Sequence, residues 1–139
     1  MQPVVDARKF SFGAVLVAGG SGSRFAIQSN SGNQIPKQFQ PLNGYRLYIW
    51  SLSRLYKNDG IGNIAVTVPP YYVDEIRKEL EVIFPSQASR ISVIAGGSTR
   101  QESVYKGLSK LSELGKPDFV MVHDAARPFI SAQTIEDAI

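Results

Sequence analysis

The 139-residue chain has no cysteine and a single histidine, His123. The first absence excludes disulfides and thiolate metal sites, and the second excludes multi-histidine metal centres. No apolar run approaches the roughly 20 residues that a membrane-spanning helix needs. Residues 1–9 (M-Q-P-V-V-D-A-R-K) hold no signal-peptide core, and no transit peptide is visible. Charged residues make up 19% of the chain, with a net charge of +3. The basic residues are spread out rather than gathered in a stripe, and they are not interleaved with aromatics as in nucleic-acid binders. The expectation is a cytoplasmic protein (plastidial in a plant-type source) with no membrane or nucleic-acid partner. Apolar content of 43% suits one globular domain over residues 1–139.

Against that plain background, residues 12–37 stand out. An apolar run at 14–18 reads as a buried strand. Ala18, Gly19, Gly20, Ser21 and Gly22 follow, and then Arg24. Without Cβ atoms in the way, backbone N–H groups in such a loop can turn toward an anion and form a concave site. Arg24 and Lys37 bracket the loop with positive charge. The pattern suits a polyphosphate. It is not a Walker A loop, which ends in Gly-Lys-Ser/Thr, nor a dinucleotide fingerprint, because Phe25 sits where the third glycine belongs. It differs from a kinase loop too, since a long polar segment follows instead of a second strand. That segment, residues 26–35 (A-I-Q-S-N-S-G-N-Q-I), reads as a loop able to close over a ligand.

Strands are predicted over 14–18, 63–68, 91–95 and 118–123. Helices are predicted over 46–57, 71–84 and 99–114, and Ser131 is expected to cap another. Expected core positions are Leu47, Trp50 and Leu55 in the first helix. In the second they are Val73, Ile76, Leu80 and Ile83, and in the third Val104, Leu108 and Leu111. Residues 41–44 (P-L-N-G) form a turn. Alternating strands and helices predict an α/β fold: a doubly wound, mostly parallel sheet with helices on both faces. Ligands of such sheets lie beyond the carboxyl ends of the strands. Three unusual clusters fall at those ends: G-G-S-G-S-R, G-G-S-T-R-Q-E-S and H-D-A-A-R-P.

These blocks and P-K-Q-F, in this order and spacing, resemble the 2-C-methyl-D-erythritol 4-phosphate cytidylyltransferases over residues 14–129. The resemblance implies a Rossmann-like nucleotidyltransferase sandwich. It also implies transfer of a cytidylyl group from CTP to a polyol phosphate, with Mg²⁺ as cofactor and a homodimer in the full-length protein. Residue by residue, it implies that Ala18, Gly19, Gly20 and Gly22 wrap the triphosphate and that Arg24 and Lys37 are catalytic. Gly97, Arg100, Ser103 and Ala126 would contact the nucleotide, Asp124 would bind the metal, and Arg127 would lie near the second substrate. Simpler roles stay open: Arg24 as a surface arginine, Lys37 as a solvated loop lysine, Asp124 as a turn cap and Ser103 as a helix-face serine. His123 reads as a hydrogen-bonding residue rather than a base.

Two departures from the family pattern stand out. The link from Arg24 to Lys37 is several residues longer than is usual there, and family members extend well beyond residue 139. The resemblance therefore implies an amino-terminal part of the enzyme that lacks the dimer arm, a second acidic metal ligand and a substrate lysine. Weak or absent turnover is expected from it alone. Ribitol 5-phosphate cytidylyltransferases share most of the motifs, and a non-catalytic nucleotide-binding domain would use the same loop. An NAD-type domain is disfavoured by the missing glycine.

Overall fold

A computed structural model of the protein describes residues 10–19, 35–86 and 89–139. Four strands, β1 (Phe12–Val17), β4 (Ile61–Val68), β5 (Ile91–Ala95) and β6 (Phe119–Asp124), form one sheet in the order β5-β4-β1-β6. Every neighbouring pair is parallel. A short hairpin, β2 (Pro41–Leu42) and β3 (Tyr45–Arg46), closes on Asn43 and Gly44, both at positive φ. Asn-Gly suits a two-residue hairpin turn because neither residue is much strained there. The predicted turn is thus a hairpin. β4 begins two residues before its predicted start because Ile61 is buried and pairs with Phe12.

The helices are α1 (Leu47–Tyr56), α2 (Val73–Ile83), α3 (Arg100–Glu113) and α4 (Ala132–Ala138). Side chains alternate across a strand, so one strand serves two cores. Ala14 and Leu16 face a large cluster with Tyr48, Leu52 and Leu55 of α1, Ile76 and Leu80 of α2, and Ile135 of α4. Val15 and Val17 face the other side, with Ala65 and Leu111 of α3. The result is a three-layer, doubly wound α/β sandwich, as the alternating pattern predicts. Ser131 caps α4 by accepting the Thr134 N–H at 3.0 Å.

Two helix faces differ from expectation. In α1 the buried apolar positions are Tyr48, Ile49, Leu52 and Leu55, while Leu47 and Trp50 are only half-buried. The Trp50 indole N–H donates to the Leu42 carbonyl at 2.8 Å, and its ring meets Tyr45 edge-on. Trp50 therefore braces the hairpin rather than filling the core. Burial pushes the Tyr48 phenol upward, and the hydrogen bond it donates to Glu79 adds to the shift.

In α3 the inward line is Ser103, Gly107 and Leu111, with Val104 half-buried and Leu108 exposed. The cause is close approach: a Cβ on Gly107 would stand 2.5 Å from Val15 Cγ1. Small residues let α3 lie down on β1, and this rotates Leu108 outward. A glycine inside a helix ordinarily costs about 1 kcal/mol relative to alanine. Here the replacement Gly107→Ala is expected to destabilise the protein, and Gly107→Leu to do so by about 1–3 kcal/mol or more through overpacking. Urea unfolding measures both, and a Gly107→Ala protein more stable than the original would contradict this packing.

Candidate functional site

The chain passes from β1 to β4 to β5 with α1 and α2 on one face. It then returns across the other face through α3 to reach β6, beside β1. Where the winding reverses, the carboxyl ends diverge and leave a crevice. A cavity of about 790 Å³ opens there, above β1, β4, β5 and β6. Of the residues singled out from sequence, Ala18, Gly19, Lys37, Gly97, Arg100, Ser103, Asp124, Ala126 and Arg127 all line it. Gly20, Gly22 and Arg24, and residues 26–34 of the long loop, lie outside the described residues.

Each wall has a local cause. Gln38 Nε2 donates to the Ala18 carbonyl at 3.0 Å, which fastens the short helical turn Lys37–Phe39 to the end of β1. Lys37, exposed beside the buried Gln38, is thereby held at the cavity. On the β5 side, the Gly97 N–H donates to Ser103 Oγ at 3.0 Å. Ser103 is only 2% exposed. A Cβ on either Gly19 or Gly96 would fall 2.8 Å from its Oγ. Ser103 therefore joins the ends of β1 and β5 and reaches the cavity as part of its wall.

Thr99 caps α3 by accepting the Glu102 N–H at 3.1 Å. The Glu102 carboxylate turns back and accepts from the Ser98 N–H at 3.0 Å and the Ser98 hydroxyl at 2.8 Å. This resembles a capping box shifted by one residue. These Ser98 hydrogen bonds hold the Glu102 carboxyl below its ordinary value of 4.5.

At the end of β6, the Ala125 N–H donates to the Val17 carbonyl at 2.9 Å, and Ala125 is fully buried. Ser51 Oγ, buried on α1, lies 3.0 Å from the Ala125 carbonyl and 3.1 Å from that of Arg127, so its hydroxyl donates into this turn. His123 Nε2 is 2.9 Å from the Arg127 carbonyl, so the histidine braces the turn as its sequence context suggested. Gln38 and Ser51 were not recognised as site-building residues. Both act on the backbone of distant segments, and no local spacing marks such a role.

The charges of the cavity meet at Asp124. Arg100 Nε donates to Asp124 Oδ1 at 3.1 Å, and Arg127 Nε lies 3.9 Å from Oδ2. Asp124 is the one carboxylate among the described residues lining the cavity. Among the described residues no group of three potential ligands gathers around one point. A single carboxylate completed by phosphate oxygens and water is nevertheless a usual mode for Mg²⁺, so this donor set fits that ion.

The Ser98–Glu102 link carries a pH prediction. A carboxylate whose value is lowered by folding contributes stability that is present above its unfolded value and lost as pH falls through the folded one. Carboxyl NMR titration should place the Glu102 midpoint below 4.5. The Glu102→Gln protein should lose less stability than the original between neutral and strongly acid pH. A midpoint at or above 4.5 would contradict the assigned hydrogen bonds.

Comparison with known proteins agrees with this fold. The family model for 2-C-methyl-D-erythritol 4-phosphate cytidylyltransferase matches residues 12–139. A relative of that name from Petrotoga mobilis is 37% identical over 127 residues, covering 91% of this chain and 52% of its own length. One from Clostridium perfringens is 36% identical over 126 residues, covering 91% of this chain and 51% of its own. This chain thus spans about half the length of these relatives. Among solved structures, the Francisella tularensis cytidylyltransferase superposes with a TM-score of 0.64 at 29% identity, covering 91% of this chain and 49% of that one. The 4-diphosphocytidyl-2C-methyl-D-erythritol synthase of Anaerococcus prevotii shares the fold with a TM-score of 0.73 at 20% identity, over 99% of this chain and 52% of that one. With fold and sequence in agreement, the chain belongs to the 2-C-methyl-D-erythritol 4-phosphate cytidylyltransferase family.

Proposed function

We propose that this chain forms the nucleotide-binding part of an enzyme that joins CTP to 2-C-methyl-D-erythritol 4-phosphate, giving CDP-methylerythritol and pyrophosphate. The observation that carries this reading is the gathering of nine of the twelve sequence-predicted site residues around one cavity at the carboxyl ends of the strands. In the reaction, a phosphate oxygen of the polyol phosphate attacks the α-phosphorus of CTP. A new P–O–P bond forms as the bond to the β-phosphate breaks, and pyrophosphate carries away the electron pair. The substrate phosphate is itself the nucleophile, so the protein contributes position and charge.

In this reading the backbone around Ala18 and Gly19 cradles the triphosphate. Lys37 neutralises charge that grows on the α-phosphate oxygens, joined by Arg24 from the glycine loop. Donors aimed at developing charge are worth more inside a crevice than in water. Gly97, Arg100, Ser103 and Ala126 form the remaining nucleotide wall. Arg127 stands on the side of the polyol phosphate, and the complete protein acts as a homodimer. Asp124 would hold Mg²⁺, which supplies charge neutralisation at the phosphates. For Asp124 to do so, Arg100 must yield part of its ion pair. An exposed pair of this kind is worth only about 0–1 kcal/mol, so the exchange is inexpensive.

Calorimetric titration with CTP, ATP and NAD tests the reading. CTP should bind in preference to the other two, and Mg²⁺ should strengthen its binding to the original protein but not to Asp124→Asn. In the complete enzyme, Lys37→Ala should lower kcat by roughly a hundredfold or more, as loss of one preorganised donor does elsewhere. Preference for ATP or NAD, or an Asp124→Asn protein with an unchanged Mg²⁺ response, would contradict it.

A further inference from the structure

The cavity has two unlike halves. Lys37, Asp124 and Arg127 make the β1–β6 side charged, and Arg100 turns its guanidinium to that side by pairing with Asp124. Pro69, Pro70, Tyr71, Gly97, Ser98 and Thr99 make the β4–β5 side neutral. A nucleoside triphosphate is divided in the same way, with an anionic tail and a flat, uncharged ring. The wall facing the ring's half is built from small residues, since Gly19 and Ser103 close-pack where β1 meets α3. Gly97, Ser98 and Thr99 continue that wall with small side chains.

The large side chain comes from the strand between. In the order β5-β4-β1, the end of β4 lies between the Gly97 and Gly19 clusters. It delivers Tyr71 to the cavity on a short helical turn, Pro70–Tyr72. Two consecutive prolines fix φ, and the Tyr72 N–H closes the turn on the Pro69 carbonyl at 2.9 Å. Tyr71 is 74% exposed. Its hydroxyl makes no hydrogen bond to another described residue. Its ring is backed by Tyr72, with centroids 4.9 Å apart and planes at 44°. Tyr72 in turn rests on the buried Phe39 at 4.4 Å. Tyr71 is thus the outermost ring of an aromatic row anchored in the core.

We propose that Tyr71 is the stacking platform for the pyrimidine ring of the bound nucleotide, a specificity contact for this site. The inference rests on the cavity being the nucleotide site. Stacking of a base on an aromatic side chain tolerates any ring but requires one, so the contact separates nucleotides from other polyphosphates. Tyr71 grips the ring and leaves the charged tail to the opposite wall.

The test compares CTP with inorganic tripolyphosphate, which carries the charge without the ring. Tyr71→Leu should weaken CTP binding by about tenfold or more while leaving tripolyphosphate binding unchanged. Tyr71→Phe should keep CTP affinity. In the complex with the original protein, the cytosine H5 and H6 resonances should move upfield under the ring current, and in Tyr71→Leu they should not. A substitution this exposed leaves the fold intact. Unchanged CTP affinity in Tyr71→Leu, or equal losses for CTP and tripolyphosphate, would overturn the inference alone. Tripolyphosphate binding without CTP binding by the original protein would overturn both the nucleotide reading and this inference.

Discussion

Everything at the business end of this molecule depends on how closely α3 lies against the sheet. Gly107 leaves no atom between the helix backbone and Val15, and one helical turn earlier Ser103 fits against Gly19 and Gly96. These contacts decide which side of α3 faces inward and fix how far the helix sits from β1. They also set the distance between the ends of β1 and β5, because Ser103 Oγ accepts the Gly97 N–H while packed on Gly19. A larger residue at any of these points would separate the two loops that form the neutral half of the crevice. Packing and site are therefore one constraint: the small residues that build the core interface also shape the cavity floor.

The charged half depends on a second set of ties. The turn after β6 is pinned from three directions, by the Val17 carbonyl, by Ser51 on α1 and by His123 within its own strand. With the backbone fixed, Asp124 presents its carboxylate next to Val17, its register partner on β1, and gathers Arg100 from α3 and Arg127 from the turn. Lys37 reaches the same space because Gln38 is bonded to Ala18. Charges from four separate segments thus converge without any of them being buried.

Much of this was legible in the sequence, and the exceptions have physical reasons. The strands could be read because β1, β4 and β5 are mostly apolar runs that stop at or just before glycine or proline. The clusters at their ends could be read because Gly, Arg and Asp have no reason to gather there for packing alone. The inward faces of α1 and α3 were harder. In α1 (L-Y-I-W-S-L-S-R-L-Y) apolar residues surround most of the helix, so periodicity does not single out one side. The hairpin carbonyl of Leu42 then draws Trp50 away from the core. In α3 the inward face is marked by a serine and a glycine, which hydrophobic periodicity counts as polar or neutral, and so Leu108 was misplaced. Ser51 and Gln38 bond to backbone 74 and 20 residues away, which no local pattern encodes.

The central claim is that the crevice above β1, β4, β5 and β6 is where the nucleotide binds. Amide chemical-shift mapping with CTP and Mg²⁺ tests it directly. The account predicts that the largest shifts fall on Ala18, Gly19, Gly97, Arg100 and Ala126, with little change at the hairpin of residues 41–46 or on the outer face of α2. Saturable shifts centred on those distant elements, with the crevice amides unmoved, would contradict it.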